Sequence, residues 1–311
     1  MSNKLVNSLW VEKYRPKSLE EYVGNESIKL QFADFINRGE IPHLLLHARA
    51  GTGKTTAGKI LVNHLDCDYL YINASDENNV ETVRTKIKSF ISSVSFKKWK
   101  IVFLDESDAL SASSQHALRN MMEHYSASSR FILTCNYPEK VIDPIQSRCT
   151  TFEVYPPSKQ EVAKRLVNIL TEEGVEYELR DIGTIVNGSY PDIRRVIASA
   201  QSQVIDGKLK LSESARVELD YMGKVLEVLK SDGTPKSKFN KIRQIIADSK
   251  VRTFDDFYRY LYDNIEEIAE EGIQAPVILE IAKAMRGDIN CVDKEINVMA
   301  MIIEILKIKQ G

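Results

Sequence analysis

Three features of the sequence predict an α/β domain on a parallel five-stranded sheet, then a small helical unit and an all-helical C-terminal part. The first half alternates short apolar runs with amphipathic stretches, the pattern of βαβ units and a parallel sheet. Strand signals stop at Tyr155-Pro156-Pro157, because a proline pair can continue neither a strand nor a helix. Beyond it, apolar residues recur at spacings of three and four, which is the helical period.

Strands are read at His43–His47, Tyr69–Asn73, Lys100–Asp105, Arg130–Cys135 and Thr150–Val154. All are nearly continuous in apolar residues, as strands covered on both faces should be. The intervening helices fall near Lys54–Leu65, Glu81–Ser92 and Ser113–His124. A first domain therefore spans residues 1–156. A three-helix unit over 157–210 contains Lys159–Leu170, Leu179–Val186 and Ile193–Val204. The last part, 211–311, carries helical patterns at Val225–Leu229, Ile242–Ile246, Phe254–Tyr262 and Ile296–Leu306, with no clustered Arg/Lys read on them. There is no internal repeat and no low-complexity segment.

Composition narrows the class further. The 311 residues are 43% hydrophobic and 28% charged, a globular balance that argues against disorder. No apolar run approaches the ~18 residues of a membrane span; Val298–Ile303 is typical and stops at Glu304. The N-terminus lacks a basic-then-apolar leader pattern, so a cytoplasmic protein without a membrane partner is expected. Forty-two Lys+Arg against forty-four Asp+Glu give a net charge of −2. That balance argues against a chain coated in positive charge, though it is silent on local patches. Cys67, Cys135, Cys149 and Cys291 are far apart, which predicts free thiols and no metal–thiolate centre.

The strongest chemical signal is Gly51-Thr52-Gly53-Lys54-Thr55-Thr56, directly after a strand and opening a helix. Such a turn aims backbone N–H groups and the positive end of the helix dipole at phosphate. Lys54 is placed for the β- and γ-phosphates, and the Thr55 hydroxyl for a magnesium shell. The full pattern wants glycine at 48, where this chain has Ala48. A second signal is Ile101–Glu106, an apolar strand ending in two acids. Acids at the C-terminal end of a parallel strand face the crevice where α/β domains bind ligands. Asp105 is placed to hold the metal through water, and Glu106 to polarise the water that attacks the γ-phosphate. Together they describe a site for ATP or GTP hydrolysis.

Further motifs carry a family resemblance over essentially the whole chain: Trp10-Val11-Glu12-Lys13-Tyr14-Arg15-Pro16, Tyr22-Val23-Gly24, Asn73-Ala74-Ser75-Asp76, Asp105-Glu106-Ser107-Asp108, Gln115–Arg119 and Ser147-Arg148-Cys149. The chain resembles replication factor C small subunits and phage clamp loader ATPase subunits, which are AAA+ proteins with a lid and a helical collar. Ser107, where alanine is common, and Tyr190-Pro191-Asp192, in place of the usual Gly-Asp, depart from the pattern.

The resemblance implies ATP and Mg2+ as cofactors. Its partners would be a sliding clamp, the other subunits of a hetero-oligomer (a pentamer with several copies of this chain), and primer–template DNA. It implies that Tyr14, Arg15, Pro16, Val23 and Gly24 enclose the adenine and that Asn136 orients the attacking water. Arg194, or Arg195 beside it, would reach the γ-phosphate from the lid. Arg148 would act on a neighbouring subunit's ATP, with Arg119 a weaker candidate at the same interface. Six basic residues and no acid lie between Val83 and Lys100. Arg84 and Lys88 share a helix face and are the candidate DNA contacts, with Ser113 at the next helix start and Gln115 linking DNA to Glu106. Phe90, Ile91, Val94 and Phe96 divide between core packing and a clamp contact. The alternative within the same superfamily is a branch-migration motor or a replication initiator.

Overall fold

The computed structural model describes residues 9–76, 80–211 and 213–309, with backbone alone at 80–83 and 213–220. Two compact units result, Met1–Gly174 with Tyr190–Ser202, and Val175–Ser189 with Gln203–Gly311.

The first unit runs α1 (Trp10–Lys13), α2 (Glu26–Arg38), β1 (Leu44–His47), α3 (Lys54–His64), β2 (Cys67–Asn73), α4 (Val80–Ser92), β3 (Trp99–Asp105), α5 (Ala112–His124), β4 (Ser129–Cys135), α6 (Asp143–Gln146) and β5 (Thr150–Glu153). Next come α7 (Lys159–Glu172), α8 (Leu179–Ser189) and α9 (Ile193–Ser202), of which α8 belongs to the second unit. All five strands are parallel, in the order β2-β3-β4-β1-β5. Every residue of β3 is buried. The two edge strands are not covered on both faces as expected: Tyr69 and Tyr71 on β2 are exposed, and on β5 only Phe152 is buried. An edge strand has one neighbour and a partly open face, so its aromatic residues serve as a rim rather than a core.

Helix α3 lies close on the sheet because Gly58 has no side chain. A Cβ there would stand 2.6 Å from Phe103 Cζ. The order of the strands puts β4 between β3 and β1, so the C-terminal ends of all three open on one crevice.

The second unit contains α8, a β6–β7 hairpin (Val204–Ile205 and Lys208–Leu209), α10 (Glu213–Lys230), α11 (Pro235–Ser249), α12 (Asp255–Asp263), α13 (Ile265–Ile268), α14 (Gln274–Asp288) and α15 (Lys294–Ile308). The hairpin corrects the purely helical reading of this stretch. Asp206 and Gly207 both take positive φ, 50° and 72°, as a two-residue hairpin turn requires. The unit's core gathers Phe254, Phe257, Tyr258, Ile302 and Ile305. Inside it the Tyr258 hydroxyl donates to Asp288 Oδ1 (3.1 Å) and Asn297 Nδ2 donates to the Ala284 carbonyl (2.8 Å). Among the described residues no helix is long and apolar enough to cross a membrane.

Candidate functional site

One pocket of the first unit is lined by Tyr14, Arg15, Pro16, Val23, Gly51, Thr52, Gly53, Lys54, Thr55, Thr56, Asp105, Glu106, Asn136 and Arg194. Its floor is the turn between β1 and α3. Gly51 and Gly53 take φ of 75° and 103°, a region that L side chains rarely adopt. Space excludes a side chain as well: a Cβ on Gly51 would stand 1.9 Å from Asp192 Oδ1, and one on Gly53 3.1 Å from Tyr22 Cε2. Ala48 is not a positive-φ residue, so position 48 does not need the backbone freedom of glycine. Its carbonyl instead accepts from Lys54.

Lys54 is buried, and its Nζ donates to the carbonyls of Ala48 and Arg49 (both 2.8 Å) and to Asn136 Oδ1 (2.7 Å). Burial pushes its ammonium below the ordinary lysine value, and the nearby Asp105, Asp108 and Glu106 carboxylates oppose that shift. Thr55 Oγ1 donates to both Asp105 oxygens, at 2.9 and 3.0 Å. Two further groups hold the same carboxylate. Tyr71 donates from β2 (2.8 Å), and Thr134 donates from β4. Although the ring is partly exposed, partial burial, helped by the hydrogen bond to Asp105, pushes the Tyr71 hydroxyl well above its usual value, so it stays a donor at neutral pH. Neither Tyr71 nor Thr134 stands out in the sequence. The signal that could have found them is register: Asn73 pairs with Asp105 across the sheet, and Thr134 lies just past Leu133, which pairs with Leu104.

Glu106 follows with φ 55°, a left-handed conformation rare outside glycine, and its N–H donates to Thr134 Oγ1 (3.1 Å). The kink leaves Glu106 exposed while its neighbours Asp105 and Ser107 are buried. Asn136 is fixed on two sides, by Lys54 at its amide oxygen and by Asp108 Oδ2 at its backbone N–H (3.1 Å).

The walls come from α7, α9 and the N-terminal arm. The Arg165 guanidinium donates to the Tyr14 carbonyl (2.8 Å), and the Tyr14 hydroxyl to Glu173 Oε1 (2.9 Å). Asp192 caps α9 by accepting the Arg195 N–H (2.9 Å), while the Ile193 N–H donates to the Gly51 carbonyl (3.2 Å). Arg194 lines the pocket and Arg195 does not. Arg165 and Cys135 also line it, although no sequence motif marks either as a nucleotide contact. Burial pushes the Cys135 and Cys149 thiols up to about 12, which leaves both protonated and unreactive.

Other expected residues lie elsewhere. Gly24 turns the chain with φ 74° against Pro157 and is not a lining residue. Arg148 is outside the pocket: it pairs with Glu123 and donates to the Pro144 carbonyl (2.6 Å). Arg119 donates to Asn120 Oδ1 (2.7 Å). Arg84 and Lys88 are exposed on α4, and Ser113 is exposed at the start of α5. The basic run of residues 84–100 is not one face. Lys97 pairs with Asp66 (2.9 Å), and Lys100 is buried with its Nζ on the Phe90 carbonyl (2.7 Å) and Ser93 Oγ (2.8 Å). There it neutralises the negative end of α4. Ile91 is buried and Phe90 packs beside it, whereas Val94 is largely and Phe96 fully exposed. Buried Gln115 joins α5 to the 138–142 loop, donating to the Lys140 carbonyl (2.9 Å) and accepting the Ile142 N–H (2.8 Å).

Known proteins resemble this chain in sequence and in fold. The model of the ATPase family associated with various cellular activities (AAA) matches residues 44–156. The replication factor C small subunit of Methanothermobacter thermautotrophicus is 36% identical over 279 residues, covering 86% of this chain and 86% of the relative. The replication factor C small subunit of Saccharolobus solfataricus is 40% identical over 224 residues, covering 70% of this chain and 68% of the relative. Among solved structures, the Thermotoga maritima RuvB Holliday junction branch migration motor aligns with a TM-score of 0.57 at 17% identity, over 80% of this chain and 91% of that one. A likeness at that identity shows a shared fold and does not favour the branch-migration alternative. With the Gly51–Lys54 turn, the paired acids Asp105 and Glu106 and Asn136 in one pocket, and sequence identity that runs far beyond it, the chain belongs to the replication factor C small subunits, within the AAA ATPases.

Proposed function

We propose that this chain is an ATPase subunit of a clamp loader, in which ATP binding organises an arc of subunits around a sliding clamp and primer–template DNA triggers hydrolysis and release. The observation that carries the reading is the separation of two parts of one machine. Lys54, Thr55, Asp105, Glu106 and Asn136 share a pocket, and Arg148 stands outside it. Tyr14, Arg15, Pro16 and Val23 take the base, with Gly24 as the turn behind them. Gly51, Thr52, Gly53, Thr56 and Lys54 take the phosphates, and Arg194 reports nucleotide state to the lid. The lid comprises residues 157–210 and the oligomerising collar residues 211–311.

Thr55 and Asp105 offer only hard oxygen donors, which fits magnesium. When bound, that ion neutralises charge on the phosphates. Glu106 takes the proton of the attacking water, and Asn136 holds that water in line. Arg148 completes the site of a neighbouring copy. Arg84 and Lys88, with Ser113, follow the phosphates of the duplex, while exposed Val94 and Phe96 face the clamp. A reducing cytoplasm suits the four free thiols.

Glu106→Gln tests the hydrolytic role, because it keeps the volume and the backbone hydrogen bond. The expected result is ATP affinity within threefold of the parent, roughly, and turnover lower by about 10²–10⁴. Unchanged turnover would remove Glu106 from the chemistry.

A further inference from the structure

Helix α11 overturns the expectation that the C-terminal third lacks clustered basic residues. Between Pro235 and Arg252 the chain carries Lys236, Lys238, Lys241, Arg243, Lys250 and Arg252 against one acid, Asp248. All but Lys238 are exposed, and among the described residues none of those five side chains has an ion-pair or hydrogen-bond partner. The acid is already engaged: Gln244 Nε2 donates to Asp248 Oδ1 at 2.7 Å.

The helix is anchored for such a role. Thr234 caps its N-terminus by accepting the Ser237 N–H (3.3 Å), and Ile242 and Ile246 are buried in the unit's core. Phe239 and Ile245 on the apolar side are half-buried against the same core. The open face carries Ser237, Asn240 and Gln244 between the charges, with no aromatic or large aliphatic residue exposed. Protein interfaces need such apolar anchors at their centre. Phosphate backbones are instead held by Lys and Arg with Ser, Asn and Gln. A net charge of −2 over the chain hides this surface, since acids elsewhere offset it.

We infer that the exposed basic side chains of α11 (Lys236, Lys241 and Arg243), with Lys250 and Arg252 just beyond its end, form a nucleic-acid surface distinct from Arg84 and Lys88 of α4, which holds a DNA strand by its phosphates without reading sequence. This inference does not depend on the clamp-loading role, nor on DNA contact by α4.

The test uses the full-length chain and fluorescein-labelled oligonucleotides, one single-stranded and one duplex, read by anisotropy across a salt series. Substituting Lys236, Lys241, Arg243, Lys250 and Arg252 together by glutamine is expected to weaken binding to at least one oligonucleotide about tenfold or more at low salt. The slope of log affinity against log salt should also become shallower, by about 0.7–0.9 for each phosphate no longer neutralised. The same weakening is expected when the substitutions are made in an Arg84→Gln/Lys88→Gln background, which separates this surface from α4. Arg243→Glu alone, which leaves four of the five charges in place, should weaken binding in the same direction. A folded five-site variant that keeps the parent affinity and salt slope for both oligonucleotides overturns the inference.

Discussion

Lys54→Ala is expected to abolish ATP turnover and to lower nucleotide affinity by about 10- to 100-fold, the loss of one or two charge-assisted hydrogen bonds. The size follows from what the ammonium does. It is buried and satisfied by three oxygens, which hold it at the Gly51–Gly53 turn. Alanine removes the charge and also releases Asn136, whose amide oxygen loses its donor. Binding and water orientation therefore fail together. Isothermal titration with ATP, alongside a phosphate-release assay, measures both; an affinity within twofold of the parent, roughly, would detach Lys54 from the phosphates.

Arg148→Ala is expected to behave in the opposite way. The isolated chain should bind ATP as the parent does, because Arg148 touches none of its own pocket. In the assembly with partner subunits, clamp and primed DNA, hydrolysis should fall by about 10³–10⁵, the range for an arginine supplied in trans. The ion pair with Glu123 does not argue against this. Both partners are partly exposed, Arg148 at 35% and Glu123 at 46%. Exposed pairs contribute about 0–1 kcal/mol, so Arg148 is released at little cost when a neighbour's phosphate is offered. Titrating ATP into the variant and timing phosphate release from the assembly separate the two effects. Weakened ATP binding by the isolated chain would make Arg148 a structural residue.

Most of this architecture is legible in the sequence because burial and chemistry write it twice. Strands β1, β3 and β4 read clearly since all of their residues but His47 and Arg130 are buried. The turn Gly51–Lys54 reads clearly since both the positive φ of its glycines and the crowding by Asp192 and Tyr22 demand glycine. Elsewhere the pattern underdetermines the outcome. The edge position of β2 depends on strand order, which apolar content does not encode, and so Tyr71 goes unnoticed at Asp105. Thr134 escapes notice because a threonine inside a strand looks like ordinary β propensity until its neighbour is known. Lys100 reads as part of an exposed basic run, although its position on the fully buried β3 turns it into a cap for α4. Asp206-Gly207 holds a hairpin signal that the surrounding helical pattern obscures.

The proposal that a neighbouring chain completes each active site is tested most directly by mixing the two inactive variants. In a mixed assembly, a chain carrying Arg148→Ala keeps Lys54, and a chain carrying Lys54→Ala keeps Arg148. Wherever the second stands beside the first in the right order, one whole site is restored. The expected result is that DNA- and clamp-stimulated ATP hydrolysis, nearly absent with either variant alone, reappears when both are assembled together. Hydrolysis that stays absent in the mixture, with both variants shown to be incorporated, would contradict a shared site.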